Sequence, residues 1–247
     1  MRLLIISDIH GNYPALEAIE KRFALTSFDH IINCGDSTVY IPFANETLDW
    51  LQTHNVFSIL GNTDKKVIKL LRGKNFKKPS KEEKRIMYSS TALSLTKKNS
   101  DYLCSLPKSR RIQFKLTSRG NMSERLYTGI YHGSPEHHHE FLFSNTPEER
   151  FSQLADRSKD RLILTGHSHT PYHKTINDIH FVNPGSVGRM FDGDPRASCA
   201  IAEADASHLT IRHYRVRYNI HKAVSRIVAE KLPDIYCSML QQGKKLN

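Results

Sequence analysis

The stretch Arg161-Leu162-Ile163-Leu164-Thr165-Gly166-His167-Ser168-His169 joins a short apolar run to two closely spaced histidines. The run has the length and branched composition of a buried strand, so Gly166–His169 is expected where this strand ends in a loop. Binding sites collect at such strand ends. Two histidines one residue apart can hold a pair of adjacent cations only if other parts of the chain supply the remaining ligands.

Four further short motifs offer such ligands, and three of them directly follow an apolar run typical of a strand. The motifs are Asp8-Ile9-His10, Gly35-Asp36, Gly61-Asn62 and His132-Gly133. One motif of this kind alone is more often a turn with a satisfied side chain, but five in one order are much harder to obtain by chance. Hard oxygen donors and imidazoles without a thiolate suit two divalent cations, with Mn, Fe and Zn all compatible.

Length, charge and cysteine use limit the class of protein. A chain of 247 residues can bury a sizeable core, and we favour a single domain over residues 1–247. No apolar run approaches the roughly 20 residues of a membrane helix, and the start of the chain is interpreted as a strand instead of a signal peptide. The four cysteines are scattered, which favours a reduced, cytoplasmic location. A net charge of +11 favours anionic ligands such as phosphate esters or nucleic acid.

The patterns along the chain predict an α/β fold. Strands at Leu3–Ile9, His30–Asn33 and Val56–Leu60 alternate with helices, which implies a largely parallel sheet. The second half predicts an antiparallel set of strand pairs before a terminal helix at His221–Leu232, and the first pair is joined by a turn at Ser118–Asn121. We expect a four-layer α/β/β/α sandwich of two mixed sheets flanked by helices, with all motifs on one rim.

The segment from Lys65 to Pro107 is predicted to be helical and could cover part of the site. Between Lys65 and Arg85 it carries ten basic residues against only Glu82 and Glu83. A run of this kind more often marks a solvated surface than a binding site.

Taken in order, the five motifs resemble the pattern of the calcineurin-like metallophosphoesterase superfamily, from Arg2 to about Asp205. The runs Asn183-Pro184-Gly185-Ser186-Val187-Gly188 and Asp192-Gly193-Asp194-Pro195-Arg196-Ala197 are similar to a small bacterial, phosphodiesterase-like branch of that family. The resemblance implies that the first run, Asn183–Gly188, has a structural role near the site.

The resemblance implies two divalent metal ions and a ligand set for each. One ion would be held by Asp8, His10, Asp36 and His169, and the other by Asp36, Asn62, His132 and His167, with Asp36 as the bridge. The catalytic group would comprise Asp36, Asn62, Asp64 and His132. A hydroxide between the ions would attack a phosphodiester, or else a phosphomonoester, of a small molecule or nucleotide. Four ligands are imidazoles, so acid is expected to strip the metal.

The chain departs from the family pattern at Thr63, where many members have a histidine that protonates the leaving oxygen. Threonine cannot donate a proton near neutral pH, which predicts a preference for acidic leaving groups or recruitment of another histidine. His137-His138-His139 is the candidate substitute, although a solvated loop is the plainer interpretation. Asp64 would then be a cap for the helix that follows.

Four residues are predicted to meet the substrate: Thr63, His137, Arg189 and Arg196. The two arginines could pair with a substrate phosphate, whereas pairing with Asp192 and Asp194 is the ordinary alternative. A different class of function is a weakly catalytic di-metal scaffold that binds nucleic acid or a partner protein through its basic face. A nuclease is a third possibility. No membrane partner is expected, and the sequence does not define an oligomeric state.

Overall fold

The computed structural model describes residues 1–116 and 124–247, so the turn predicted at Ser118–Asn121 lies outside the described residues. Ten strands are assigned in the described chain: β1 (Arg2–Ile6), β2 (His30–Asn33), β3 (Phe57–Ser58), β4 (Ser109–Leu116), β5 (Glu124–Tyr131), β6 (Leu162–Leu164), β7 (Tyr172–Ile176), β8 (Ile179–Asn183), β9 (Ala197–Ala204) and β10 (Leu209–Val216).

Eight α-helices surround these strands in the described chain: α1 (Tyr13–Arg22), α2 (Ala44–Thr53), α3 (Asn62–Leu71), α4 (Glu82–Ser94), α5 (Lys97–Ser105), α6 (Glu148–Asp156), α7 (Ile220–Ala229) and α8 (Ile235–Gln242). None of the helices in these residues is long and apolar enough to cross a bilayer.

The strands form two five-stranded mixed sheets. The first has the order β10-β9-β1-β2-β3, with β1, β2 and β3 parallel and β9 antiparallel to both β1 and β10. The second has the order β4-β5-β6-β8-β7, with β5, β6 and β8 parallel and an antiparallel strand at each edge. The predicted fold class is therefore confirmed.

The antiparallel strand pairs expected in the second half are observed, β4 with β5, β7 with β8 and β9 with β10. The expectation that they form one antiparallel set, separate from the parallel first half, is wrong. The last two strands return to the first sheet, where Leu4 of β1 pairs with Ile201 of β9. In the second half, β5, β6 and β8 run parallel. Hydrophobic periodicity identifies strands but carries no information on which distant strand each one meets, so this pairing is decided by packing of the whole chain.

Side chains along a strand point alternately to the two faces of its sheet, and this alternation places the layers on either side of the sheet. On β1, Leu3 and Ile5 pack between the two sheets, where they meet residues such as Leu164 of β6. Leu4 and Ile6 point the other way and pack among the helices that cover the first sheet. Helix α6 covers the outer face of the second sheet. Both faces of β1 are therefore buried, which explains its unbroken apolar run.

The helical prediction for residues 65–107 is confirmed by α3, α4 and α5, although residues 72–81 lie outside these helices. The predicted terminal helix at His221–Leu232 is confirmed as α7, which ends three residues earlier. A further helix, α8, was not predicted, and the chain turns between the two through Lys231 in a left-handed conformation, with φ +52°. Helix α8 then buries Tyr236, Met239 and Leu240. Pro233 signals that break in the sequence, because proline cannot continue a helix.

Candidate metal centre

The side chains predicted as metal ligands all follow the carboxyl ends of parallel strands, and both sheets contribute. Asp8 and His10 follow β1, Asp36 follows β2, Asn62 begins α3 just after β3, His132 follows β5, and His167 and His169 follow β6. All are buried except Asn62, which is partly exposed. The sandwich therefore brings distant parts of the chain to one rim.

Five of these residues have a left-handed backbone: Asp8 (φ 51°), His10 (φ 53°), Asp36 (φ 53°), His167 (φ 67°) and His169 (φ 58°). This conformation costs about 1 kcal/mol or more for a residue with a Cβ atom, and such strain is typical of functional sites. In the turns after β1, β2 and β6, the backbone is therefore strained in a way that positions a side chain at the site.

The candidate ligands form two groups. In the first, the Oδ1 atom of Asp8 lies 3.4 Å from Nε2 of His169 and 3.9 Å from Nε2 of His10. Ser7 and the backbone N–H of His167 both donate to the other oxygen of Asp8, and its Oδ1 atom is buried without a hydrogen-bond partner. A buried carboxylate oxygen without a hydrogen bond is unfavourable, and a bound cation would remove that cost.

The second group contains Asp36, His132, His167 and the adjacent Asn62. Nε2 of His132 lies 3.0 Å from Oδ1 of Asn62 and 3.4 Å from Oδ2 of Asp36. The same Oδ2 atom is 4.0 Å from Nε2 of His10 in the first group. Asp36 therefore lies between the two groups, in the position that a bridging ligand requires.

His10 and His169 face each other through ring nitrogens that carry lone pairs. Nδ1 of each ring donates to a backbone carbonyl, that of Val39 for His10 and that of Arg189 for His169, so each Nε2 atom is the unprotonated one. The two Nε2 atoms are only 3.1 Å apart. Facing lone pairs repel each other, and a cation between them would remove the repulsion. The first group therefore fits a divalent metal ion.

Burial keeps three of the four histidines neutral. It lowers the pKa of His10 to about 4 and that of His167 to about 3, and it holds the pKa of His169 well below the usual value. Neutral imidazole is the form that binds a metal. These rings are therefore ready to act as ligands at neutral pH.

Two other ligands carry protons that a metal must displace. Burial opposes charge on His132, but the nearby Asp36 carboxylate raises the His132 pKa to about 9. Burial also opposes charge on Asp36, yet the His132 imidazolium holds the Asp36 pKa well below its usual range. Burial raises the pKa of Asp8 to about 7. In the metal-free protein, the His132 proton thus supplies positive charge beside Asp36.

Asp64 holds the turn after β2 against the start of α3. Its buried carboxylate accepts hydrogen bonds from the backbone N–H groups of Ser37, Thr38 and Gly61, and from the Thr38 hydroxyl. The bond from Gly61 caps the N-terminus of α3. Asp64 does not line the cleft beside the ligands. The geometry favours the capping interpretation over the catalytic one and gives Asp64 a positioning role for Asp36.

The Asn183–Gly188 loop supports the site from the second sheet. The Asn183 amide donates to the Gly166 carbonyl (2.7 Å) and to Ser168 (3.0 Å), and the Ser186 hydroxyl donates to the backbone carbonyl of Asp8 (2.6 Å). The expected near-site structural role is therefore observed. It acts on Asp8 and on the loop that carries the two histidines.

A cleft opens onto the two groups. Among the residues described, its lining includes the predicted substrate contacts Thr63 and Arg189 but neither His137 nor Arg196. The exposed guanidinium of Arg196 is instead paired with Asp194 at 2.6 Å, which is the ordinary alternative to a substrate contact. Exposed ion pairs of this kind form within a single loop and say nothing about a ligand.

The three members of the histidine triplet lie in different positions relative to the site. His137 is exposed and forms a turn, in which its carbonyl accepts from the backbone N–H groups of Ser134 and Glu140. The neighbouring rings lie beside candidate ligands, with centroid distances of 5.4 Å from His138 to His132 and 6.4 Å from His139 to His167. His138 and His139 therefore replace His137 as the members of the triplet that are close to the site.

Sequence reasoning did not identify five other residues of the cleft wall: Tyr40, Lys84, Phe141, Phe191 and Lys245. Phe141 stacks on His167 with a centroid distance of 3.9 Å, and Phe191 stacks on His169 at 4.1 Å. Aromatic and lysine residues are common on any surface, so no sequence signal distinguished these. Their role follows only from their position against the ligands.

A larger surface cavity lies at the other end of the first sheet, where α1 ends and β2 begins. Its lining includes Glu20, Asp29, His30 and His54. The two groups of potential metal ligands found in the described part of the chain both lie on the rim instead. Ligand chemistry, and not cavity size, therefore identifies the candidate site.

Comparison with known proteins adds independent evidence. Residues 1–207 match the family model described as the calcineurin-like phosphoesterase superfamily domain. The chain is 28% identical to the uncharacterised protein MJ0912 of Methanocaldococcus jannaschii, and the match covers 94% of each chain.

Two solved structures resemble this one over nearly its whole length. A metallophosphoesterase from Sphaerobacter thermophilus has 27% identity and a TM-score of 0.77, covering 98% of this chain and 99% of its own. The hypothetical protein PH1004 from Pyrococcus horikoshii has a TM-score of 0.79 and 21% identity, covering 99% of both chains, and at that identity it shows the shared fold alone.

Proposed function

The chain belongs to the calcineurin-like phosphoesterase superfamily, as its motifs predicted, and from this membership we propose that it is a metal-dependent phosphodiesterase of small molecules or nucleotides. Hydrolysis of a phosphomonoester is the nearest variant of this function. The observation that carries the proposal is the pair of facing Nε2 atoms of His10 and His169, beside the orphaned Oδ1 atom of Asp8. That arrangement has a physical reason only if a cation is bound.

The proposed ligand sets follow from the two groups. Asp8, His10 and His169 would hold one divalent ion, and Asn62, His132 and His167 the other, with Asp36 shared by both. When bound, the ions would activate a water molecule as the nucleophile and neutralise charge that develops on the phosphoryl oxygens. Carboxylate, amide and imidazole ligands are compatible with manganese, iron or zinc.

Residues around the proposed site would orient the shared ligand Asp36 and would exclude water from the reacting phosphate. Backbone N–H of Thr63 donates to Oδ1 of Asp36 at 2.7 Å, which leaves Oδ2 of Asp36 toward the imidazoles. Phe141 and Phe191 cover His167 and His169 with apolar rings, and a drier site strengthens each electrostatic interaction in it. The side chain of Thr63 lines the cleft but offers no acid for the leaving group.

The proposal is tested by turnover of bis(p-nitrophenyl) phosphate with added manganese. Asp36→Asn keeps the side-chain volume but removes the shared charge, so we expect it to lower kcat/KM by more than the tenfold to hundredfold typical of groups around metal ligands. Metal analysis should find fewer bound ions per chain. Asp49→Asn on α2, which alters an exposed ion pair with Lys98 on α5, is the matched control and should behave as the wild type.

The rival function is a weakly catalytic di-metal scaffold. Thr63 in the place of an acid histidine and the basic segment 65–85 favour it. If the wild-type protein binds two ions but turns over no member of a panel of monoesters, linear diesters and cyclic nucleotides, the rival replaces our proposal. Salt-sensitive binding of DNA or RNA with cleavage would indicate a nuclease.

A further inference from the structure

A cluster of positive charge lines the cleft beside the candidate metal ligands. It consists of Lys84 from α4, Arg189 from the loop before β9, and Lys245 from the segment after α8. Asp36 is the one carboxylate in the lining among the described residues, and it belongs to the ligand set. Nowhere in residues 1–116 and 124–247 does a carboxylate lie within ion-pair distance of these three cations. The wall of the cleft therefore carries three cations that have no direct carboxylate partner in the described chain.

Arg189 is the buried member of this cluster, with only 6% of its surface exposed. Its guanidinium carbon lies 4.0 Å from the ring centroid of Tyr40, 5.1 Å from that of Phe191 and 5.4 Å from that of Tyr236. Its Nη2 atom has only neutral acceptors, the Met239 sulfur at 3.5 Å and Oδ1 of Asn247 at 3.3 Å. Its Nε atom is buried and has no partner.

A guanidinium held in this way has an energetic cost. Burying a charge without a counter-ion is unfavourable, and cation–π contacts offset only part of that cost. The aromatic rings fix the plane of the group, and most of its five N–H donors have no acceptor in the protein. With the plane of the group fixed, the Nη1 donors, which have no acceptor in the described chain, are available to the oxygen atoms of a phosphate.

Arg189 lies close to the candidate metal ligands. Its backbone carbonyl accepts the Nδ1 proton of His169. Tyr40, on which its guanidinium stacks, has its ring centroid 5.5 Å from that of His10. The guanidinium is therefore separated from the first group of ligands by one aromatic ring. An anion bound to it would lie beside the phosphate at the metal ions but would not replace it.

We propose that Arg189, Lys84 and Lys245 form a subsite for a second phosphate group of the substrate, beyond the phosphoryl group that is hydrolysed. The inference rests on the proposed function and narrows it to phosphate esters that carry another phosphate, such as a nucleotide with a further phosphate or a bisphosphorylated small molecule. The second phosphate supplies the counter-charge that the folded chain lacks.

The test compares the binding of two non-hydrolysable probes to the manganese-loaded protein by titration calorimetry. Methylenebisphosphonate carries two phosphonate groups and methylphosphonate carries one, so the ratio of their dissociation constants measures the second site. Arg189→Met removes the charge and keeps an apolar side chain among the rings. We expect it to reduce the wild-type preference for the bisphosphonate by about tenfold or more, because it removes charge-assisted hydrogen bonds.

Arg226→Met is the matched control. Arg226 also lies over an aromatic ring, Phe43 at 5.4 Å, but it is half-exposed and paired with Glu230 on α7. This variant should keep the wild-type ratio. It also controls for chelation of manganese by the bisphosphonate, which is the same for every variant.

Thermal unfolding separates binding from structure. A structural role for Arg189 predicts that Arg189→Met lowers the Tm, whereas removal of an unbalanced buried charge should leave it unchanged or raise it. If this variant does not fold, Lys84→Met at the partly exposed edge decides the matter, with an expected loss of about threefold in the ratio. An unchanged ratio in the variants that fold would overturn the subsite.

The outcome is independent of turnover. If the wild type hydrolyses bis(p-nitrophenyl) phosphate while Arg189→Met leaves the ratio of the two phosphonate dissociation constants unchanged, the subsite fails and the proposed function stands. If the ratio falls as expected but no ester is hydrolysed, the anion subsite stands, and the proposed function fails.

Discussion

Single residues of the site combine donor atoms that need a cation with backbone angles that cost energy. Gly61 shows how little space the arrangement leaves, because a Cβ atom added there would lie 2.0 Å from Oδ1 of Asp36 and 2.3 Å from its backbone nitrogen. The Gly-Asn motif thus needs its glycine for close packing against the shared ligand, not for conformational freedom.

Gly61→Ala is therefore expected to displace Asp36 and to reduce bound metal to less than two equivalents, with a loss of activity of at least about tenfold. Metal analysis of the purified variant measures this. Gly73→Ala is the control, because nothing lies within 4 Å of its added Cβ and its φ of +66° causes only backbone strain. Full metal content in Gly61→Ala would contradict the close contact.

Thr63 predicts how the rate depends on the leaving group. Without an acid at this position, rates should fall steeply as the leaving-group pKa rises, provided that chemistry limits turnover. Thr63→His should raise the rate on esters with basic leaving groups by about a hundredfold, the lower end of general acid catalysis. A series of substituted aryl esters measures the slope, with Thr63→Val as the control. A flat series for the wild type would refute the idea.

At the level of elements, each ligand depends on how a strand passes into the next turn or helix. The start of α3 is the clearest case, because one carboxylate caps the helix and also holds the turn that carries Asp36. Local sequence predicts the cap, since a helix start with an acidic residue in its first turn is a familiar pattern. It does not predict that the same carboxylate reaches Ser37 and Thr38.

Asp64→Ala is expected to lower the free energy of unfolding by about 3 kcal/mol, because it leaves the buried N–H groups of Ser37, Thr38 and Gly61 without an acceptor. Urea unfolding of the metal-free protein measures the loss. Asp101→Ala removes an exposed i,i+4 pair with Lys97 and should cost about 0.5 kcal/mol or less. If both variants lost the same free energy of unfolding, the hydrogen bonds of Asp64 would not stabilise the fold.

For the whole molecule, metal binding at the proposed site would join the two sheets, since each of them supplies candidate ligands to the same rim. It is also coupled to protonation. At neutral pH, His132 with a pKa of about 9 holds a proton, and Asp8 with a pKa of about 7 is about half protonated. His10 and His167, with pKa values of about 4 and 3, have none to lose.

Loading with manganese at pH 7 should therefore release about one to two protons per chain, and metal affinity should rise with pH between about 5 and 9. The sign follows because both raised pKa values favour the protonated, metal-free form at lower pH. Calorimetric titrations in two buffers with different ionisation heats measure the release. Heats that do not depend on the buffer would show that His132 and Asp8 are already deprotonated.

Residue types and their spacing were enough to predict the layers and to indicate the candidate ligands. Asp8, Asp36 and His167 stand in short motifs after apolar runs, and both signals are local, because they depend on residue type and on spacing along the chain. The histidines could be counted as ligands, but the sequence could not tell that protons would compete mainly at His132 and Asp8.

The contacts between these groups follow from the folded chain and not from local sequence. The return of β9 beside β1, the pairing of Arg196 with Asp194 and the burial of Arg189 among aromatic rings all depend on contacts between distant segments. A pKa, an orphaned donor or an unbalanced charge belongs to an environment and not to a residue type. That environment exists only once the chain has folded. For this reason the sequence indicated Arg189 as a phosphate contact, but not its burial or its neighbours Lys84 and Lys245.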